Sequence, residues 1–252
     1  MRNNTVKKTL QNLLLKQIIT KKSNILIIAG SDEDKYLFLS LGFKNITISN
    51  LDKRMDKLSY APYNYSHENA MELSYDDCVF DFVFVSDGLH HCSSPHLALV
   101  EMYRVAKYGI IVIESRDNFL IRLAIKLDIV SEYEIDSVIE NDFEFGGVNN
   151  TAIPNYIYRW VESEFEKTLK TFDPRGEQKF IYYYDLNIPE NFIHNNLIKI
   201  LKPFIVLFSR IFKKQCNSFT MLCLKPEIPI DLFPWLVVKN EMIHFNRKFI
   251  NK

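Results

Sequence analysis

The sequence predicts an α/β fold built on a doubly wound, mostly parallel sheet. Three observations predict it. Short all-apolar runs recur through the first half of the chain, and each is followed by a turn and a segment of helical spacing. The last two strand candidates flank a helical segment, which suits an antiparallel C-terminal edge.

The elements follow in order. Leu10, Leu13, Leu14, Ile18 and Ile19 mark an amphipathic lead-in helix. Lys16 interrupts the apolar run before it, which argues against a secretory signal. Ile25–Ile28 is continuously apolar, as a strand buried on both faces should be. Asp34–Leu41 has helical spacing, and Gly42 stands where a helix end calls for left-handed dihedrals. Asn45–Ser49 is a second strand and Phe82–Val85 a third. In Pro95–Lys107, Leu97, Val100, Glu101, Arg104 and Val105 are spaced for a helix. Gly109 is expected to end that helix before the all-apolar strand Ile110–Ile113. Units of this length imply right-handed crossovers.

Beyond Glu114 the pattern changes. Residues 117–175 read as a mostly helical, aromatic-rich insertion covering one end of the sheet, with a loop at FGGVNNTAIPN. Lys179–Leu186 and Phe219–Leu224 are the late strands, and Ile193–Lys214 is an amphipathic helix interrupted by Pro203. Phe204–Phe212, followed by Lys213 and Lys214, admits a peripheral membrane contact, with an ordinary core helix the expected reading. Residues 1–252 are expected to form one domain: a core over 22–116, the insertion, and C-terminal strands and helix over 176–252.

Of the 252 residues, 47% are hydrophobic and 25% charged, as in ordinary globular domains. Lys+Arg and Asp+Glu number 31 each, so neither a basic excess nor a nucleic-acid partner is expected. No stretch of roughly 18 apolar residues free of charge occurs, which predicts no transmembrane segment. Cys78, Cys92, Cys216 and Cys223 lack the spacing of a zinc site or a disulfide framework. No metal site is expected, and buried free thiols suit a reducing, cytoplasmic compartment.

The stretch ILIIAGSDED raises the question of a cofactor. Ligands of an open parallel sheet bind at the carboxyl ends of its strands, where strand order reverses. A dinucleotide would need glycines there and no neighbouring negative charge, but one glycine, Gly30, precedes Ser31, Asp32, Glu33 and Asp34. The acids suit a ligand carrying positive charge. The competing explanation is local: Ser31 and Asp34 form a capping-box pair, and acids in a first turn favour the helix dipole. About 20 residues further on, Asn50 or Asp52 could hold a ribose.

Residues 69–114, NAMELSYDDCVFDFVFVSDGLHHCSSPHLALVEMYRVAKYGIIVIE, resemble the class I S-adenosylmethionine-dependent methyltransferases, in particular the type 11 group. The resemblance rests on an acid-and-Ala step, an apolar strand with Asp, Leu-His-His, a Glu-x-x-Arg-Val helix and a following glycine. With the elements before it, the similarity covers about residues 22–116. It implies a Rossmann-like seven-stranded fold and S-adenosylmethionine as cofactor. It implies that Ala29, Gly30, Ser31 and Asp32 face the methionine portion and that Asn50 or Asp52 holds the ribose. Asn69 and Ala70 would meet the adenine, with Ser86 and Asp87 near the sulfonium. The loop departs from the family in keeping only Gly30, and positions 50 and 69 carry Asn where the family has an acid.

Methyl transfer from a sulfonium is an in-line displacement that needs positioning and, for a hydroxyl acceptor, a base. His90, His91 and Asp87 are the candidates. Asn149, Asn150, Asn155, Tyr156, Tyr158, Arg159 and Trp160 are candidates for binding a small polar acceptor, sugar-containing in the preferred reading, with Gly146–Gly147 as a hinge. Two alternatives stand beside methyl transfer: a catalytically inactive binding module on the same fold, and an NAD(P)-dependent oxidoreductase or epimerase.

Overall fold

The computed structural model describes residues 2–55, 57–174, 178–187, 196–226, 235–240 and 242–246. Its centre is a sheet of β1 (Asn24–Ile28), β2 (Asn45–Asn50), β3 (Asn64–His67), β4 (Phe80–Ser86), β5 (Ala106–Ser115), β8 (Lys179–Asp185) and β9 (Ser218–Leu224). The spatial order is β3-β2-β1-β4-β5-β9-β8. The first five strands are mutually parallel, while β9 runs antiparallel to both β5 and β8. The predicted fold class is the observed one.

Alternation along β1 explains the double winding. Leu26 and Ile28 join a core with Val83, Val85, Leu99, Met102 and Trp160. Ile25 and Ile27 join a second core with Phe82, Phe84, Leu10, Leu13 and Phe38. Successive side chains of a strand point to opposite faces, so an all-apolar strand demands cover on both. One face is covered by α3 (Pro95–Val105) and α6 (Glu162–Phe172), the other by α1 (Arg2–Leu15) and α2 (Asp32–Ser40).

The helix ends follow local chemistry. Ser31 caps α2 through a reciprocal bond with Asp34, and Gly42, just beyond it, has φ +79°. Ser94 caps α3, with Pro95 in its first turn. The expectation for Gly109 is corrected. α3 ends at Val105 and β5 begins at once, so Gly109 lies inside the strand. A Cβ there would sit 2.4 Å from the Cys223 carbonyl oxygen of the neighbouring strand, so close strand approach is what requires glycine.

The insertion is less helical than expected. It holds α4 (Phe119–Lys126), β6 (Tyr133–Glu134), the single turn α5 (Asp136–Ile139), β7 (Asn155–Tyr156) and α6, with turns between them. β6 and β7 pair antiparallel as a small ribbon. β10 (Leu236–Lys239) and β11 (Met242–Phe245) pair in a further ribbon that the sequence pattern did not reveal.

The helix expected at Ile193–Lys214 is α7 (Asn196–Ile211), which contains Pro203; Ile193, His194 and Asn195 lie outside the described residues. It is not a core helix. Phe204, Leu207, Phe208 and Ile211 are exposed, as are Phe119, Leu120, Leu123 and Leu127 on or beside α4. No helix among the described residues is long and apolar enough to cross a membrane. All four cysteines are free; Cys216 and Cys223 are buried, but Cys78 is exposed.

Candidate functional site

A cavity of about 330 Å³ opens at the carboxyl ends of the parallel strands. Its floor comes from Ile28 and Ala29 after β1, Ser49–Asp52 at the end of β2, Glu68–Ala70 after β3, and Asp87 and Gly88 after β4. β1 and β4 are adjacent while the chain passes outward to β2 and β3 between them, so this is where strand order reverses. The roof comes from the insertion: Ser137, Asn141, Gly146, Gly147, Asn149 and Asn150.

Of the residues expected to hold a cofactor, Ala29, Asn50, Asp52, Asn69 and Ala70 line the cavity, whereas Gly30, Ser31, Asp32 and Ser86 do not. The charge argument for the acidic loop is therefore corrected. Asp34 is buried and its carboxylate accepts from the Ser31 amide at 3.0 Å and the Ser31 hydroxyl at 3.1 Å. Asp32 and Glu33 lie exposed in the first turn of α2. The acids serve the helix start. Gly30 is a packing glycine, since a Cβ would approach Ile48 to 2.6 Å and Ile27 to 2.9 Å. Ser86 is buried behind Asp87.

Two wall residues are held in left-handed backbone: Ala29 at φ +49° and Asp87 at φ +47°. For a residue with a Cβ this conformation costs about 1–2 kcal/mol, partly offset against glycine's greater unfolded freedom. Ala29→Gly is expected to raise stability by roughly 0.5–1 kcal/mol in urea unfolding.

The polar floor is tied together. Asn50 donates to the Gly30 carbonyl at 3.0 Å and accepts from the Asp52 amide at 2.9 Å. Asp52 accepts both the Arg54 Nε and Nη2 groups, and Arg54 holds its carboxyl below the usual range against the opposing effect of burial. Arg54 also donates to Asn141 Oδ1 at 2.9 Å and lies 4.1 Å from the Phe145 ring centroid. It thus joins the floor to the roof. Glu68, which sequence reasoning missed, accepts from Ser66, Ser74 Oγ and the Ser74 amide.

Beside the cavity lies a buried charge cluster. β4 leads through Asp87 and Gly88 into a short 3-10 turn, Leu89–His91. Glu114, fully buried at the end of β5, accepts from the Leu89 amide at 2.7 Å and meets His90 Nδ1 at 2.8 Å. His90 Nε2 faces Glu134 Oε2 at 3.2 Å. Burial alone would lower the His90 pKa, but Glu114 and Glu134 overcome it and raise it to about 10. His90 therefore does not have the free basic nitrogen expected of a general base. His91 lines the cavity, and burial together with the neighbouring His90 lowers its pKa. Glu134 resists burial and is held down to about 2, chiefly by His90 and His91. An acid closing the apolar run IIVIE was the one available signal for Glu114; nothing local marked Glu134.

The expected acceptor residues Asn155, Tyr156, Tyr158, Arg159 and Trp160 do not line the cavity. Asn155 is buried and donates to Glu134 at 3.2 Å, and Tyr156 pairs with Tyr133 in the ribbon. Tyr158 bonds Glu164, and Arg159 donates to the Ser131 carbonyl at 2.7 Å. Trp160 is fully buried in the core and exchanges backbone bonds with Ser115 and Asp117. This segment straps the insertion to the sheet. Asn149 and Asn150, also expected for the acceptor, do line the cavity.

Residues 33–113 match the family model described as a methyltransferase domain. No curated protein matches the chain. Among solved structures, the chain is similar to magnesium protoporphyrin IX methyltransferase (ChlM) from Synechocystis PCC 6803, crystallised with bound SAH. That similarity is at 10% identity over 89% of this chain and 84% of that one, with a TM-score of 0.54. The YcgJ protein from Bacillus subtilis matches at 14% identity over 88% and 99%, with a TM-score of 0.53. The [4+2]-cyclase SpnF matches at 13% identity over 87% and 81%, with a TM-score of 0.51. At such identities these structures establish the fold alone. The resemblance to class I S-adenosylmethionine-dependent methyltransferases is borne out by the matched domain together with that fold.

Proposed function

We propose that the chain binds S-adenosylmethionine in this cavity and transfers its methyl group to a small polar acceptor. The observation that carries the reading is the cavity at the reversal of strand order, floored by Ala29, Asn50, Asp52, Asn69 and Ala70, all but Ala29 lying within the residues that match a methyltransferase domain. The SAH bound by the Synechocystis enzyme, on the same fold, supports the choice of cofactor. Asn50 or Asp52 would take the ribose, and Asn69 with Ala70 the adenine. Asp87 and His91, on the wall after β4, would hold the polar group of the acceptor, and Asn149 and Asn150 would close over it. Roof and floor then supply what the displacement needs, a fixed approach of the two reactants and exclusion of water. A sugar hydroxyl fits these amide and carboxylate groups.

Strand order now opposes the NAD(P) reading, in place of the charge argument. Dinucleotide-binding sheets of this kind run 3-2-1-4-5-6 and are mostly parallel. Here an antiparallel strand, the last of the seven in chain order, separates β5 from β8. The reading of a binding module without catalysis has one observation in its favour: Asn50, Asp52 and Glu68 already spend side-chain bonds on the protein. The SpnF match adds that this fold also serves other chemistry. Calorimetry separates the three. Micromolar binding of both S-adenosylmethionine and S-adenosylhomocysteine, with no heat from NADH, is expected. Silence with both sulfur compounds sinks the proposal.

A further inference from the structure

We infer that His90, His91 and Glu134 form a binding site for one divalent transition-metal ion, with Glu114 behind it. The three side chains offer ligand atoms that all lie within 4.8 Å of one another. His90 Nε2 and His91 Nε2 each stand 3.2 Å from Glu134 Oε2. Ligand atoms about 2.0–2.1 Å from a tetrahedral zinc ion lie about 3.3–3.4 Å from each other, so two edges of the coordination shell are already at length. As hydrogen bonds to a carboxylate the same contacts are long, since charge-assisted bonds close to about 2.7–2.9 Å.

The surroundings are those of a metal site. His90 presents Nδ1 to the buried Glu114 at 2.8 Å, the carboxylate–histidine arrangement that orients a ligating imidazole and leaves Nε2 for the ion. The rings of His90 and His91 lie side by side, with centroids 4.7 Å apart. Asn155, 1% exposed, brings its amide to 3.2 Å from Glu134 Oε2, and its Oδ1 has no hydrogen-bond partner among the described residues. Turning that amide over directs the oxygen to the same point. Two carboxylates and two neutral imidazoles carry the charge that one divalent ion balances. On binding, the Nε2 proton of His90 leaves to solvent, and the nitrogen lone pair forms the bond to the ion. The imidazole-rich set suits zinc, cobalt or iron(II) rather than magnesium or calcium.

His91 is also a wall residue of the cavity, so the ion would stand beside the proposed acceptor position. There it would bind an acceptor oxygen and lower its pKa, with His91 as ligand. That use rests on the methyl-transfer reading; the binding of the ion does not.

The test is cobalt(II) titration of chelator-treated full-length protein, followed by visible ligand-field bands, with zinc as a competitor and thermal unfolding in parallel. One equivalent per chain is expected, with an intense tetrahedral spectrum, displacement by zinc and a raised Tm. His91→Ala, on the cavity wall, should abolish the bands while circular dichroism shows a folded chain. Glu114→Gln should weaken cobalt binding by about 10–100-fold, as loss of an outer partner does. A folded wild-type protein without bands, or bands that persist in His91→Ala, overturns the inference. Cobalt binding in a protein silent to S-adenosylhomocysteine would leave it standing and sink the cofactor reading instead.

Discussion

Glu114→Ala is expected to cost about 3–5 kcal/mol in urea unfolding, the range for removing one partner of a buried ion pair. The carboxylate is fully buried and does two things: it accepts the Leu89 amide at 2.7 Å and holds His90 Nδ1 at 2.8 Å. Alanine leaves both donors without an acceptor in the same dry place. Glu114→Gln keeps an oxygen for one donor and removes the charge, so its cost should be smaller, about 1–3 kcal/mol. If the two variants prove equally stable, the charge is not what holds the turn. If both match wild type, the cluster contributes nothing to the fold. The position matters for the site as well, because Leu89–His91 follows directly on the cavity-wall residues Asp87 and Gly88.

The sheet was legible because its strands obey one simple requirement. A strand covered on both faces must be apolar at every position, and Ile25–Ile28, Phe82–Val85 and Ile110–Ile113 are. β3, Asn64–His67, escaped notice because it is the outer strand on its side and carries Asn, Tyr, Ser and His. The candidate site was legible where backbone topology places a residue, as at Ala29, Asn50, Asn69 and Asp87. It was not legible where a side chain had to choose between a ligand and its own chain. Asp34 is the clear case: an acid three residues after Ser31 is equally a helix cap and a ligand-facing charge, and the local bond wins because it costs no loop ordering. The roof failed for a related reason. Rings and amides serve a pocket and a core alike, and only the path of the insertion puts Asn149 on the cavity and Trp160 in the core. Glu134 meets His90 across 44 positions of chain, a contact no local spacing announces.

Trp160→Ala is expected to cost about 3–5 kcal/mol, as truncation of a fully buried aromatic residue does, and to act through folding rather than through acceptor affinity. The indole has no accessible surface; its ring centroid lies 4.8 Å from that of His96 and 5.1 Å from that of Tyr158. Its backbone accepts from the Asp117 amide and donates to the Ser115 carbonyl, so it holds the returning chain against the end of β5 where the insertion begins. The variant should unfold at lower urea, and the roof of the cavity should loosen with it, seen as faster amide exchange across residues 137–150. Trp160→Phe separates packing from polarity. Nε1 is buried without a hydrogen-bond partner among the described residues, a burden of about 1–3 kcal/mol that phenylalanine removes while keeping most of the ring volume. Phenylalanine should therefore come within about 1–2 kcal/mol of wild type, the smaller ring and the lost unpaired donor working in opposite directions. A phenylalanine variant as unstable as alanine would mean that the indole nitrogen is satisfied in solution. A stable alanine variant with altered acceptor binding would return Trp160 to the pocket that its sequence context first suggested.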